Sequence, residues 1–270
     1  MTASQAMAPT RPASLFVTVL VAAIVLAGAS SALVSGIALL VYLPYALVGA
    51  LLVIRRPRNP IGWLLVGVGW ALLAGFERVP ATAESLRAGT ASPLALLMAW
   101  QQGWSWLGAF GLFVVITVIF PAGRLPIGRW RGIGLATIVG AWLAIALISL
   151  APVITVRSTD GSEPISIANP AASVIPQPLF SWLASFTPVG IVILLATLLL
   201  GAASMVARTR GARGLERQQV RWLVASLSAV ALTIVYSFIV SGLFGDALPD
   251  IAFLPLMVAF VAVPGSTAGV

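Results

Sequence analysis

The chain is a succession of apolar runs, and its charged residues are confined to the short segments between them. A transmembrane helix needs about 20 mainly apolar residues, because it rises about 1.5 Å per residue through a hydrocarbon core about 30 Å thick. Eight runs are candidates for such helices. They are Leu15–Gly28, Ile37–Ile54, Ile61–Phe76, Leu94–Phe120, Ile133–Val153, Leu179–Val206, Val220–Phe244 and Ile251–Val263.

Composition supports the same class of protein. Of the 270 residues, 60% are hydrophobic and 8% are charged, whereas a soluble domain carries about a quarter charged residues. Most runs are apolar on all sides and do not alternate as the strands of a membrane barrel would. The sequence therefore predicts an all-α integral membrane protein, a polytopic bundle of about eight transmembrane helices. Seven spans are expected if the first segment is cleaved as a secretory signal, or if the last run does not span.

The charges predict an orientation. One alternating set of connecting segments carries twelve arginines and one acidic residue, a net charge of +11, and the other carries three arginines and six acidic residues, a net charge of −3. Because positive charge resists translocation, the first set is predicted to be cytoplasmic. We therefore expect a multi-pass protein of the bacterial plasma membrane whose C-terminus, and N-terminus if uncleaved, are cytoplasmic.

This topology divides the chain into a cytoplasmic tail (residues 1–14), a transmembrane domain (15–263) and a short C-terminal tail (264–270). The longest connection, an external loop near residues 154–178, is rich in Ser and Pro, and it is predicted to hold little regular structure.

Residue types that are missing exclude several kinds of chemistry. The chain has no cysteine and no histidine, so thiolate and imidazole nucleophiles, bases and metal ligands are excluded. No constellation of Asp, Glu, Ser or Tyr stands out, so we predict a non-enzymatic protein without catalytic, cofactor-binding or metal-binding residues. Because the arginines lie at the edges of the spans, the predicted partner is a bilayer with anionic lipids at its cytoplasmic face, and no nucleic acid is expected.

Three arginine-rich motifs mark the predicted cytoplasmic edge. In "RRPRNPIGW" (55–63), Asn59 suits the N-cap of the third span and Pro60 its first turn. "FPAGRLPIGRWRG" (120–132) repeats this pattern with Gly123 for a turn, and "GLERQQVRW" (214–222) has the pattern of an amphipathic helix. Their role is either to anchor the topology or to relay movement to a cytoplasmic partner. The candidate residues are Arg55, Arg56, Arg58, Arg124, Arg129, Arg131, Arg217, Gln218, Gln219 and Arg221.

Three polar residues are candidate intramembrane contacts: Glu77, Gln101 and Gln102. The two glutamines, in "MAWQQGWSW" (98–106), are expected to bond between helices, with a small-molecule pocket as the alternative. Glu77 ends the third run, where a carboxylate within the membrane would be a functional candidate. Its neighbour Arg78 favours an exposed helix end instead.

Taken in order, "NPIGWLL", "FPAGRLPIGRWR" and "GLERQQVRWL" resemble the multi-pass membrane input regions of bacterial sensor histidine kinases, especially those of actinobacterial type. The resemblance covers roughly residues 55–223, and it implies a signal-input role. In that family a dimerisation helix with a phosphoacceptor histidine and an ATP-binding domain follow the spans. No kinase residue carries over, because this chain has no histidine.

The resemblance thus implies the membrane sensory module of a histidine-kinase-type signalling protein, either truncated, split or stand-alone. Its expected partners are a kinase core or a second copy of the chain. The alternative is a small-molecule transporter or a membrane subunit of one. Paired broken helices and intramembrane ions would favour transport, and Pro44 within the second run is the single hint of a broken helix.

Overall fold

The computed structural model describes residues 15–34, 37–76, 80–120, 123–156 and 165–209. This part of the chain is mostly helical, with eight α-helices, one short 3-10 helix and one two-stranded sheet. The α-helices are α1 (Leu15–Val34), α2 (Ile37–Arg55), α3 (Pro60–Phe76), α4 (Pro80–Arg87), α5 (Pro93–Ile119), α6 (Arg129–Ser149), α7 (Gln177–Ala184) and α8 (Thr187–Thr209). Six of the eight predicted spans therefore coincide with helices, and the seventh and eighth lie outside the described residues.

Two helices in the described ranges are long and apolar enough to cross a membrane, Pro93–Ile119 and Trp130–Ser149. The pair α7 and α8 makes a third candidate if both belong to one span. Shorter apolar helices occupy Leu15–Ser30, Tyr42–Arg55 and Pro60–Ala74. The chain is thus a mainly helical protein with candidate membrane spans, as its composition predicts, while the number of eight spans stays a prediction.

The sixth predicted run is not one straight helix. It divides into α7 and the first part of α8, which are bent by 44° relative to each other. The reason lies in Pro188, which has no amide hydrogen and whose ring collides with the carbonyl four residues earlier in a continuous helix. That carbonyl belongs to Ala184, where α7 ends.

Helix α5 lies at the centre of the bundle. It packs against α3 on one side and against α6 and α8 on the other, while α2 packs on α3 and α1 on α2. The largest buried side chains in this core are aromatic, among them Tyr45, Phe110 and Phe113. The α2–α3 crossing is close enough that a β-carbon added at Gly62 would lie 2.9 Å from the Val53 amide nitrogen and 3.0 Å from the Gly49 carbonyl oxygen. Small residues permit such close helix approaches in membranes.

The outer surface of the bundle is apolar as well as its core. Large apolar side chains are exposed on every long helix, including Phe16 of α1, Leu47 of α2, Val139 of α6 and Leu199 of α8. Such contiguous apolar surface is unusual on a soluble monomer, and it is what helices between lipid and neighbouring helices present.

A β-hairpin occupies the loop that was predicted to hold little regular structure. Strand β1 (Val153–Val156) pairs antiparallel with β2 (Ile165–Ala168), with Val153 opposite Ala168. Alternation explains it, because Ile154 and Val156 are buried while the residues between them are exposed. The hairpin is followed by the 3-10 helix Pro170–Ser173, so the described chain is not entirely α-helical.

Helix α5 extends well beyond the end of α3. The two helices are antiparallel, with Gly67 next to Leu112 and Gly108 next to Ala71. This register sets Phe76, the last residue of α3, level with Gly103. The ten residues Pro93–Gln102 therefore project past α3 by about 15 Å, and α4 and strand β1 pack around this projecting part.

Candidate functional site

Two loops meet at one end of the bundle, which we call the arginine end: the α2–α3 loop (56–59) and the α5–α6 loop (120–128). A β-carbon added at Gly123 would lie 2.7 Å from Asn59 Oδ1, so the two loops are in close contact. Gly123 has φ +67°, a conformation that glycine adopts without strain. The two similar sequence motifs thus form a single structural unit.

The local geometry of this end agrees with the sequence prediction. Helix α3 begins at Pro60, and the side chain of Asn59 accepts a hydrogen bond of 3.1 Å from the Ile61 amide. This is the capping arrangement that satisfies an amide without an intrahelical partner. Asn59 therefore both caps α3 and contacts the neighbouring loop.

The arginine end presents its cations outward. Arg55, Arg56 and Arg58 of the first loop region are exposed, as are Arg124 and Arg131 of the second. Arg129 begins α6, and nothing is described of its side chain. The remaining relay candidates Arg217, Gln218, Gln219 and Arg221 lie outside the described residues. Two of the three arginine motifs are thus brought together.

An apolar cavity of about 220 Å³ lies at the same end, between α5, α6 and α8. Its lining includes Val118 of α5, Ile127 of the loop, Trp130 and Ile133 of α6, and Ser204 of α8. Ser204 places the C-terminal part of α8 beside the second arginine motif. This cavity could not be predicted from the sequence, because its walls come from three helices that are distant in the chain.

The opposite end, which we call the hairpin end, comprises α4, the hairpin, the 3-10 helix and the first turns of α5. Its central residue is Asn169, which is 2% exposed. Asn169 Nδ2 donates hydrogen bonds of 2.9 Å to the Ser149 carbonyl and 2.8 Å to the Ala151 carbonyl. Its Oδ1 accepts from the Ala171 amide, so this one side chain joins the end of α6 to the 3-10 helix.

Trp100 of α5 reinforces this joint. Its Nε1 donates a 2.9 Å hydrogen bond to the same Ser149 carbonyl, and its ring packs edge-on against Trp104 at 5.2 Å. Trp100 also packs against a small core of Ala99, Ile154 and Val156. The hairpin is therefore fixed to the projecting part of α5 by apolar contacts and by shared carbonyl acceptors. The role of Asn169 could not be predicted from the sequence, because its partners at Ser149 and Ala151 lie 18 to 20 residues away in the chain.

Two buried polar atoms lie next to this joint without a hydrogen-bond partner. They are Trp104 Nε1 and Ser105 Oγ, and within the described part of the chain they are the unsatisfied buried side-chain atoms. Buried polar groups are nearly always bonded, so this pair is a candidate contact for a polar ligand or for water.

Two of the three predicted intramembrane residues, Gln101 and Gln102, lie at the hairpin end. Gln101 is exposed on the projecting part of α5, and Gln102 beside it is partly buried. Glu77 lies outside the described residues, just after the end of α3. Both glutamines thus lie between the Trp100 joint and the unsatisfied pair, and their role as polar contacts stays a prediction.

Within the described ranges, no group of three or more acidic residues lies together where it could hold a metal ion. Comparison with known proteins adds no function: no family model matches the chain, and no curated protein and no solved structure is significantly similar to it. Any functional conclusion therefore rests on the two ends of the bundle and on the helix that joins them.

Proposed function

We propose that this chain is the non-catalytic membrane sensory module of a histidine-kinase-type signalling protein, with the hairpin end external and the arginine end cytoplasmic. One observation carries the proposal: the buried helix α5 contacts the hairpin at its start and reaches the loop of the second arginine motif at its end. A displacement at one end is thereby coupled to the other, because helix shifts of about 1–2 Å are a common way of passing a change across a packed bundle.

The input is proposed to act at Trp104 and Ser105. Both have buried polar atoms without a partner, and Trp104 lies against Trp100, which is bonded to the end of α6. A ligand that bonds to either atom would favour one arrangement of α5 relative to α6. This is the differential contact that a ligand must make to shift a conformational equilibrium.

A pair of serine substitutions tests the input. Ser105→Ala removes a hydroxyl that has no partner, so we expect unchanged insertion and stability but a changed response of a tethered kinase core. Ser149→Ala is the matched control, because Ser149 lies at the same end and its hydroxyl bonds within its own helix to the Ala146 carbonyl at 2.8 Å. If Ser105→Ala, Ser149→Ala and the unaltered chain all gave the same kinase output, the proposed input site at Trp104 and Ser105 would be contradicted.

The output is proposed to run through the third arginine motif. Gln218→Ala with Gln219→Ala keeps charge and helix propensity, and we expect it to alter kinase output without affecting insertion. Arg217→Lys with Arg221→Lys keeps the charge but loses the planar, bidentate hydrogen bonding of arginine, and it is expected to insert normally. The relay role would be contradicted if neither the glutamine pair nor the arginine pair altered signalling, while replacement of these arginines by Glu blocked insertion. The motif would then serve only to anchor the topology.

Orientation has its own experiment, which the cysteine-free sequence makes simple. In intact cells, a cysteine replacing Ser162 should react with an impermeant thiol reagent, and a cysteine replacing Thr209 should not. This expectation follows from the +11 and −3 charge sums of the two sets of segments. Reversed labelling would contradict the proposed orientation and, with it, the assignment of input and output ends.

A transporter, or a membrane subunit of one, is the second candidate, favoured by the 44° bend between α7 and α8. Transporters bind substrate where broken helices meet near the middle of the membrane. Here Thr187 Oγ1 at the bend bonds to the Leu147 carbonyl near the end of α6, which favours a helix lying at the membrane edge. Proton or sodium flux into vesicles containing the purified chain, measured with ion-sensitive dyes, would support transport over signalling.

A further inference from the structure

The cavity at the arginine end has the size and position of a site for part of a lipid. Its volume of about 220 Å³ is below the range of about 300–1,000 Å³ in which drug-sized ligands are enclosed. It opens between Val118 at the end of α5, Ile133 in the first turns of α6 and Ser204 near the end of α8. It therefore suits a short apolar section of a longer molecule.

The lining favours an apolar occupant. Most of the wall is apolar, and its two hydroxyl groups are engaged within their own helices. Thr137 Oγ1 donates to the Ile133 carbonyl at 2.8 Å, and Ser204 Oγ donates to the Gly201 carbonyl at 2.8 Å. A sugar or an amino acid would lose its bonds to water on entry and gain little in return, whereas a hydrocarbon chain would lose nothing.

Two lining residues of the cavity are exposed and have arginines close to them in the chain. Ile127 is 85% exposed and Trp130 is 43% exposed, and tryptophan is common at the level of lipid headgroups. Exposed Arg124 and Arg131 flank these two residues in the chain. An apolar cavity whose lining residues have exposed arginines as near neighbours in the chain matches a molecule that carries a negative charge next to a hydrocarbon chain.

We propose that the cavity binds an anionic phospholipid, with the upper part of one acyl chain between α5, α6 and α8 and the phosphate at Arg124 and Arg131. The hydrocarbon alone cannot supply selectivity, because a lipid tail is already in apolar surroundings in the bilayer. Preference among lipids must therefore come from the headgroup, where guanidinium groups pair with phosphate oxygens. This proposal does not depend on the signalling role.

Fluorescence quenching of Trp130 tests the site in the full-length chain. The purified protein is placed in phosphatidylcholine nanodiscs, and phosphatidylglycerol brominated near the glycerol end of its chains is titrated in. The Trp130 contribution is obtained by subtracting the same titration of Trp130→Phe. We expect saturable quenching by the anionic lipid, and only weak, non-saturating quenching by equally brominated phosphatidylcholine.

Charge variants separate a site from general attraction. Arg124→Gln with Arg131→Gln should raise the half-saturating concentration of anionic lipid about 25-fold. Each arginine near anionic lipid contributes about a factor of five to the binding constant. Arg55→Gln with Arg56→Gln removes the same charge from exposed residues at the same end, and it should change the value by less than about threefold. Thr137→Leu should reduce quenching by filling the cavity from a buried position.

Three results would overturn the proposal. Equal quenching by the two lipids would mean that the cavity does not select anionic headgroups. Equal weakening by the two arginine pairs would mean attraction to the whole end and no defined site. Absence of Trp130 quenching by either lipid would mean that no lipid chain enters the cavity.

Discussion

The two ends of the bundle satisfy their backbone polar groups in different ways. At the arginine end, a side chain bonds to an amide two residues away, from Asn59 to Ile61. At the hairpin end, carbonyls at the end of α6 accept hydrogen bonds from side chains 18 to 49 residues away. The first arrangement is local in the chain, and the second requires the tertiary fold.

This difference follows from which groups are left over. The start of a helix has amides without partners, and a short polar side chain just before it can reach them. The end of a helix has carbonyls without partners; the amides that follow α6 bond to the Leu147 and Ile148 carbonyls, and the last ones need donors from elsewhere in the fold. Asn169 and Trp100 supply such donors to the Ser149 carbonyl. The helix cap at the arginine end is therefore expected to form without tertiary contacts. The hydrogen bonds of the hairpin end are expected to form only when α5, α6 and the hairpin assemble.

The largest expected effect comes from Asn169, whose loss would break the hairpin end. Asn169→Ala should lower the free energy of unfolding by about 3 kcal/mol, because it removes three hydrogen bonds and leaves a buried acceptor unsatisfied. Asn169→Asp should cost more, since it directs a carboxylate at two carbonyl oxygens. Reversible unfolding in mixed detergent micelles measures both. The control Gln177→Ala removes an exposed bond of 3.4 Å at the same end and should change little.

The next effect concerns close packing near the arginine end. Gly62→Ala should lower the free energy of unfolding by about 2 kcal/mol, because the added methyl group meets backbone atoms of α2 that cannot rotate away. Gly132→Ala is the matched control in the first turns of α6, where a β-carbon meets nothing within 4 Å. It should be neutral or raise stability by up to about 1 kcal/mol, the helix preference of alanine over glycine. Equal losses would contradict the close crossing.

A smaller effect is expected from the local cap. Asn59→Ala should lower the free energy of unfolding by about 1 kcal/mol, the usual value of an N-cap. Asn59→Asp keeps the accepting oxygen and should be almost neutral, in contrast to the same change at Asn169. At the arginine end the asparagine side chain accepts a hydrogen bond, and at the hairpin end it donates two. If Asn59→Asp and Asn169→Asp changed the free energy of unfolding equally, this contrast between the two ends would be wrong.

The smallest effect is expected where two donors share the Ser149 carbonyl, so that the loss of one leaves the other. Trp100→Phe removes one donor from the Ser149 carbonyl but leaves Asn169 Nδ2 bonded there, so we expect a loss of only about 0.5 kcal/mol. Combined with Asn169→Ala it should cost more than the sum of the two changes, because the carbonyl then has no donor. A double-mutant cycle measures this coupling, and strict additivity would argue against a shared acceptor.

The distinction between contacts that are local in the chain and contacts between distant segments also decides how much of the fold the sequence could predict. The first five helical runs, the Asn59 cap and the Gly123 turn depend on apolar length and on neighbours in the chain, and the structure confirms them, while the sixth run is divided into α7 and α8. The hairpin joint and the cavity could not be predicted in this way, because their parts come from segments far apart in the sequence. The break at Pro188 is also a correction, because the run Leu179–Val206 is predicted as one span. Three of the four residues of "VITV" (153–156) are apolar, so the sequence does not show the alternating burial of the strand.

The unequal lengths of neighbouring helices have a consequence for the surrounding bilayer. Helix α3 has 17 residues and rises about 26 Å, while α5 has 27 residues and rises about 40 Å. Neither matches a hydrocarbon thickness of about 30 Å, and each ångström of mismatch costs a fraction of a kcal/mol. With both helices in a membrane, as proposed, we expect lipids beside α3 to be compressed and the projecting turns of α5 to hold the hairpin above them. In a thicker bilayer more of α5 is expected to be immersed. The distance of the hairpin from the membrane surface is therefore expected to decrease as the bilayer becomes thicker.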